Sequence, residues 1–280
     1  DPLAGDPISL TVDDENLANG SDPDTPVTDS GSTTFTEGSD DIVSIVFGTD
    51  LSGLGGGLTW VRVDDNTITG SDGGDLIVTL TLGVVDNTAT VTATLSDNYD
   101  SHPTFTADDL QALGSVGVVA TDLDGDTATA NVSVAVSDDV PTAVDDAAET
   151  VAEDAVGTIG DNVLANDTQG ADGATVTSFT VGGVTTAVPQ DGTDASYSNA
   201  NGTYTMDMDG NWTFDPNPNL DQSAGDVDAS FDYTITDGDG DESSATQPIS
   251  IEDGQDPLAG DPISLTVDDE NLANGSDPDT

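Results

Sequence analysis

Apolar and polar residues alternate with a period of two along most of this chain. Between positions 127 and 137, Ala128, Ala130, Val132, Val134 and Val136 alternate with polar residues, the signature of a strand with one buried face. The same reading covers residues 8–12, 41–47 and 58–63, the last carrying Trp60. Leu76, Val78, Leu80 and Leu82 alternate in turn, Asp86-Asn87 makes a turn, and Ala89, Val91, Ala93 and Leu95 return among Thr88, Thr90, Thr92 and Thr94. That is a hairpin with one buried face. Further on, residues 176–181 read as a strand, and Tyr204, Met206 and Met208 face one way. Asp209-Gly210 then turns the chain so that Trp212 and Phe214 return on the partner strand, and Phe231, Tyr233 and Ile235 form a late strand. Residues 104–113 alone read as a helical turn, with Asp108 and Asp109 near its start. Short strands separated by Gly, Asn and Asp turns predict an all-β protein of immunoglobulin-like β-sandwiches.

Repetition divides the chain. Residues 1–25 recur unchanged at 256–280, and TDLDGD at 121–126 recurs as TDGDGD at 236–241. Ser137-Asp138 aligns in the same way with Glu252-Asp253. One repeat unit therefore holds two domains of similar plan, 1–139 and 140–254, placed end to end, and residues 255–280 open the next unit as a first strand and loop without the rest of their domain. Thr150-Val151 starts the second domain, and Pro141, which cannot donate to a ladder, ends the last strand of the first.

Charge changes this picture. The 280 residues carry a single Lys or Arg, Arg62, against 56 Asp and Glu, a formal net charge of −55, and only 34% are hydrophobic. Such a composition ordinarily marks a disordered chain; the regular alternation and hairpin turns argue for a folded one. Self-repulsion must then be offset by cations from solution, and carboxylate oxygens suit hard ions such as Ca2+. No basic patch can be built for nucleic acid or for an anionic membrane surface. No apolar run approaches membrane-spanning length. Cysteine is absent, so no disulfide can staple the domains.

The candidate ligands follow from the repeated acidic turns. Asp122, Asp124 and Asp126 share one tight turn, and Asp237, Asp239 and Asp241 share its counterpart. Each turn can offer several of the six to eight oxygens that Ca2+ takes. Neither is an EF-hand, because the Gly stands fourth and the twelfth positions are Ser133 and Pro248. In an immunoglobulin-like sandwich the hairpin before the last strand lies at the end where the chain enters. Asp237, Asp239 and Asp241 are therefore expected beside the acidic joint formed by Asp138, Asp139, Asp145 and Asp146. The partners of the first turn would belong to a preceding domain, and Glu252 and Asp253 would serve the next one. Asp14, Glu15, Glu153, Asp154 and Asp167 are further acidic candidates, each a ligand or a solvated edge that discourages strand-to-strand pairing.

Residues 145–168, DDAAETVAEDAVGTIGDNVLANDT, together with DGNWTFDPNPNL and FDYTITDGDGDESSAT, resemble the cadherin-like repeats of large bacterial surface proteins. The first domain, with SHP at 101–103 and VVATDLDGDTATANVSVAVSDDVP, resembles a repeat of giant RTX adhesins exported by type I secretion. The resemblance implies an extracellular extender region, a monomeric spacer whose partners are the neighbouring repeats of the same chain and whose joints calcium stiffens. It would project a distal ligand-binding region from the bacterial cell for attachment and biofilm formation. Asp145, Glu153, Asp154, Asp167, Asp237, Asp239 and Asp241 fall at acidic positions of that family. TQGADGATV, after Asp167, departs from the denser acidic run usual there and argues against a ligand at Asp172.

Catalysis has little to work with. His102 is the single histidine, in a turn before Pro103, which leaves no His-based triad or His-rich metal site. Trp60 and Trp212 sit in strand patterns that read as core rather than as platforms for a sugar. The alternative to a spacer is a carbohydrate- or surface-binding module using the Thr88–Thr94 row, although such a row more often marks the solvent face of a strand.

Overall fold

The computed structural model describes residues 1–99, 110–254 and 263–265. Domain one contains β1 (Ile8–Asp13), β2 (Thr28–Thr34), β3 (Ile42–Phe47), β4 (Thr59–Asp64), β5 (Thr67–Asp72), β6 (Asp75–Val85), β7 (Thr88–Leu95), β8 (Leu110–Asp122) and β9 (Thr127–Ser137). They form two sheets, in the orders β1-β9-β8-β3 and β2-β7-β6-β5-β4. Every pair is antiparallel except β1 with β9, which run parallel from Ile8↔Val132 to Asp13↔Ser137. The alternation of β9 puts Ala130, Val132, Val134 and Val136 inside, and β7 buries Ala89, Val91, Ala93 and Leu95 against them while its threonines face out. Ile8, Leu10, Val12, Phe35 and Phe47 complete this core.

Domain two contains β10 (Glu149–Ala152), β11 (Ile159–Asn162), β12 (Ala174–Val181), β13 (Val184–Ala187), β14 (Ala195–Ser198), β15 (Gly202–Met206), β16 (Asn211–Pro216), β17 (Val227–Asp228), β18 (Phe231–Asp237), β19 (Glu242–Gln247) and β20 (Ile249–Glu252). The sheet orders are β10-β20-β17, β11-β16-β15-β14 and β13-β12-β18-β19. Here too the first strand, β10, pairs parallel with the last, β20. The core is aromatic. Trp212 meets Phe231 edge-on with ring centroids 5.5 Å apart, and Tyr204 lies 4.6 Å from Phe214, arrangements that add to simple burial.

Two expectations change, and one strand appears that the apolar pattern does not announce. Residues 110–113, placed in a helical turn, open β8 instead, and residues 104–109 lie outside the described residues. Trp60 is half-buried at the rim of the core rather than within it, and its Nε1 donates to the Gly55 carbonyl at 2.8 Å. Strand β2, TDSGSTT, has almost no apolar residue and no period to read; it is held by pairing along β7. Gly31 is required there because a Cβ would come within 2.6 Å of Ile8 Cγ2 on β1.

At the joint, the loop after β1 reaches domain two. Asn19 Nδ2 donates to the Ala171 carbonyl, and the Ser21 amide donates to Asp139 Oδ2 at 2.9 Å. Ala171 is 5% exposed and packs with the core of domain one.

Because the remaining core residues form two separate clusters, Trp212→Ala is expected to cost domain two about 3–5 kcal/mol. Urea unfolding followed by amide exchange should show domain two melting early and domain one at its original midpoint.

Candidate metal centre

Both acidic turns close in the same way. Gly125 has φ +97° and Gly240 φ +113°, a backbone that favours glycine. Asp122 Oδ1 accepts the amides of Gly125 and Asp126 at 3.1 and 2.8 Å. Asp237 Oδ1 accepts those of Gly240 and Asp241 at 3.0 and 2.7 Å. In each turn one oxygen of the first aspartate serves the backbone, while its Oδ2 is buried without a hydrogen bond. Asp122 is only 1% exposed.

Three groups of carboxylates converge, each with ligand atoms within 4.8 Å of one another: Asp40, Asp122 and Asp124; Asp172, Asp237 and Asp239; and Asp138, Asp239 and Asp241. The first two are equivalent by register. Ile42 pairs with Asp122 and Ala174 with Asp237, and Asp40 and Asp172 each stand two residues before those partners. Asp239 belongs to both groups in domain two, so five carboxylates surround the joint. Asp138 arrives directly from the end of β9; it is 7% exposed and Asp241 3%.

The electrostatics are unfavourable for the bare cluster. Ionised pairs at such distances repel by about 3–4 kcal/mol each at the effective dielectric of a protein surface. Burial, then the hydrogen bond with Asp241 and the charges of Asp239, Asp241 and Asp237, push the Asp138 carboxyl up to about 9. Burial and Asp172 push Asp237 up to about 7. In domain one, a hydrogen bond and charge from Asp122 raise Asp124. Burial acts upward on Asp122 too, but hydrogen bonds from Asp124, Asp126 and Gly125 and the nearby amino terminus outweigh it and lower its pKa. That terminal ammonium lies 3.8 Å from Asp122 Oδ2. Among the described residues the other ion pair is Arg62–Asp65, at 2.6 Å on the β4–β5 turn. The donor set is all carboxylate oxygen, preorganised by backbone amides, and fits a hard divalent cation such as Ca2+.

The remaining sequence candidates have other surroundings. Asp139 is buried and receives the Ser21 amide. Asp145 accepts the Thr246 amide at 2.9 Å. Asp167 accepts the Val144 amide at 2.8 Å and the Tyr233 hydroxyl at 3.1 Å. Burial and Asp167 push Asp146 up to about 6 beside that tyrosine. Glu153 accepts the Leu220 amide at 2.5 Å, and Asp154 packs against Gly254. Asp14 is buried and accepts the Tyr99 amide at 3.3 Å; Glu15 lies next to it in the 3₁₀ turn Asp14–Asn16. Asp126 lends its amide to the first turn, and Asp253 is exposed at the far end of domain two. None of these joins the three groups. Asp40 was not foreseen, and Asp172, which the sequence argued against, stands in a cluster. Both lie in loops away from the acidic turns, Asp40 beside Asp41 and Asp172 alone, and only the strand register reveals them.

Residues 138–253 match the bacterial cadherin-like domain. No curated protein matches the chain. Among solved structures the chain is similar to Drosophila N-cadherin EC1-3, with 12% identity and a TM-score of 0.31 over 90% of this chain and 68% of that one. It is also similar to a tetra-tandem repeat in the extending region of a large adhesion protein, with 17% identity and a TM-score of 0.27 over 87% of this chain and 49% of that one. It likewise spans half the length of Drosophila N-cadherin EC1-4, at 11% identity and a TM-score of 0.31 over 89% of this chain. No helix among the described residues is long and apolar enough to cross a membrane.

A carboxyl whose pKa rises on folding stabilises the fold fully below its ordinary value and loses that contribution as pH rises to the folded value. For Asp138 the window runs from 3.8 to about 9, and for Asp237 from 3.8 to about 7. In chelator, the melting temperature of the cadherin-like domain should therefore fall as pH rises through that window, as read by calorimetry, and added calcium should remove the fall.

Proposed function

We propose that this chain is a spacer segment of a bacterial surface adhesin and that Ca2+ stiffens its joints. The observation that carries this reading is the meeting of Asp138, from the last strand of domain one, with Asp239 and Asp241, from the acidic turn of domain two. A bound Ca2+ would supply the positive charge that the chain lacks. The residues to hold it are Asp138, Asp239 and Asp241, with Asp172 and Asp237 forming the adjoining group. Asp40, Asp122 and Asp124 offer the equivalent group to the domain that precedes. Within the array, Asp256 is the counterpart of Asp1 and follows Gln255 in peptide linkage. No free ammonium is available there, so a cation must come from solution.

The chain's own part is structural rather than catalytic. Tight turns fix the acids, Asp139 ties the joint to Ser21, and Asn19 ties it to Ala171. A joint held in this way transmits direction from one domain to the next. That suits a monomeric extracellular rod exported by type I secretion, which carries a distal binding region away from the cell for attachment and biofilm formation.

Calcium titrated into chelator-treated protein should bind with measurable heat, and small-angle scattering should show a longer maximum dimension with calcium than without. Asp241→Asn should weaken uptake at the joint by roughly tenfold, the size of one charge-assisted contact. Identical scattering profiles in calcium and in chelator would sink the stiffening.

A further inference from the structure

The joint inside the repeat unit has a counterpart between units, and its two faces are on view. β10 and β20 run parallel to the trailing end of domain two, where the loop after β10 lies beside Gly254. Val156, in that loop, is fully exposed (105%). At the leading end of domain one, Leu123 occupies the second position of the acidic turn and is 72% exposed. Residue 256, the equivalent of Asp1, follows Gly254 by two positions, a reach of at most about 7 Å. Asp1 itself lies beside Asp122. The trailing end of one unit and the leading end of the next must therefore abut.

The observed joint shows what such an abutment needs. There the loop after the first strand of domain one presses on the leading face of domain two, and Ala171 is the apolar residue buried between them. The turn contributes Gly238, where a Cβ would come within 2.7 Å of Asp172. The same register puts Ser39 and Leu123 of domain one at the places of Ala171 and Gly238. The apolar group has moved from the loop to the turn. We infer that Leu123 packs against Val156 of the preceding unit, so that the contact between units is an apolar seat beside the acids Asp40, Asp122 and Asp124. This inference rests on the tandem array of the proposed function and not on calcium.

Natural absence of cysteine makes the test direct. A two-unit chain, residues 1–255 followed by residues 1–280, would carry Val156→Cys in its first unit and Leu123→Cys in its second. A disulfide needs Cα atoms within about 7 Å. Under mild oxidation this pair should close within the chain at least about tenfold faster than a control pair with Leu76→Cys, a residue at the opposite end of domain one. Closure at the control rate, in calcium and in chelator alike, would overturn the contact. Fast closure in calcium supports it, whether or not chelator slows the reaction. Calcium uptake measured on the same two-unit chain scores the calcium reading separately. Val156→Ser and Leu123→Ser should leave the urea midpoint of the 280-residue chain and the amide-exchange protection of both cores unchanged; in the two-unit chain they should widen the range of end-to-end distances.

Discussion

Repulsion among carboxylates, in a chain with almost no lysine or arginine, is the constraint on which this structure turns. A surface aspartate in an ordinary protein finds a basic neighbour or solvent. Here Arg62 is spent on exposed Asp65 and the Phe47 carbonyl, and the buried acids must be held by amides, by hydroxyls, by the terminal ammonium beside Asp122, by a proton or by an ion from solution. Amides serve Asp122 and Asp237 inside their turns. Tyr233 serves Asp167. What remains is the group at the joint, where the raised pKa values of Asp138 and Asp237 express the cost of crowding charge into a partly buried place.

The same constraint explains where the acids are absent. The outward positions of the β2-β7-β6 face are hydroxyl-rich and uncharged: Thr28, Ser30, Ser32 and Thr34 stand opposite Thr94, Thr92, Thr90 and Thr88. Ser32 and Thr90 hydrogen-bond at 2.7 Å, Thr34 and Thr88 at 3.0 Å. Like charges directly across a strand pair destabilise it, and without lysine no opposite charge is available. Threonine solves this problem because it is polar, favours strands and satisfies its hydroxyl laterally. Strand pairing without charge is enough to account for a threonine row of this kind. Acids are then confined largely to turns, where spacing is wider and backbone amides are free to meet them.

Much of the fold was legible because burial enforces period two. Val132, Leu80, Ala93 and Ile235 declared their faces, and the repeated acidic turns marked equivalent hairpins. The aromatic core around Trp212 could be read for the same reason. Strand β2 could not, because its place depends on Thr and Gly packing beside β1 rather than on apolar residues of its own. The metal site was half legible. Asp237, Asp239 and Asp241 announced themselves as a run on one turn, but Asp172 and Asp40 acquire meaning only when β12 and β3 pair with the strands that enter those turns. Asp14 and Asp139, candidates on the same sequence grounds, accept the Tyr99 and Ser21 amides and stand outside the three groups. A local run of acids can be seen in one dimension; an acid brought in by strand register cannot.

The parallel pairing of first and last strands determines what such domains can build. β1 and β9 point the same way, as do β10 and β20. A domain whose terminal strands ran antiparallel would take in and release the chain at one pole, and successive copies would fold back on each other. With parallel terminal strands the chain enters at one pole and leaves at the other. The same topology puts the turn before the last strand at the leading pole and the loop after the first strand at the trailing pole. The junction between the two domains therefore brings the acidic turn of the second against the trailing acids and loop of the first. The crowding of charge at the joint is thus a consequence of the strand order itself, and a protein of this topology needs no dedicated loop to bring carboxylates of two domains together.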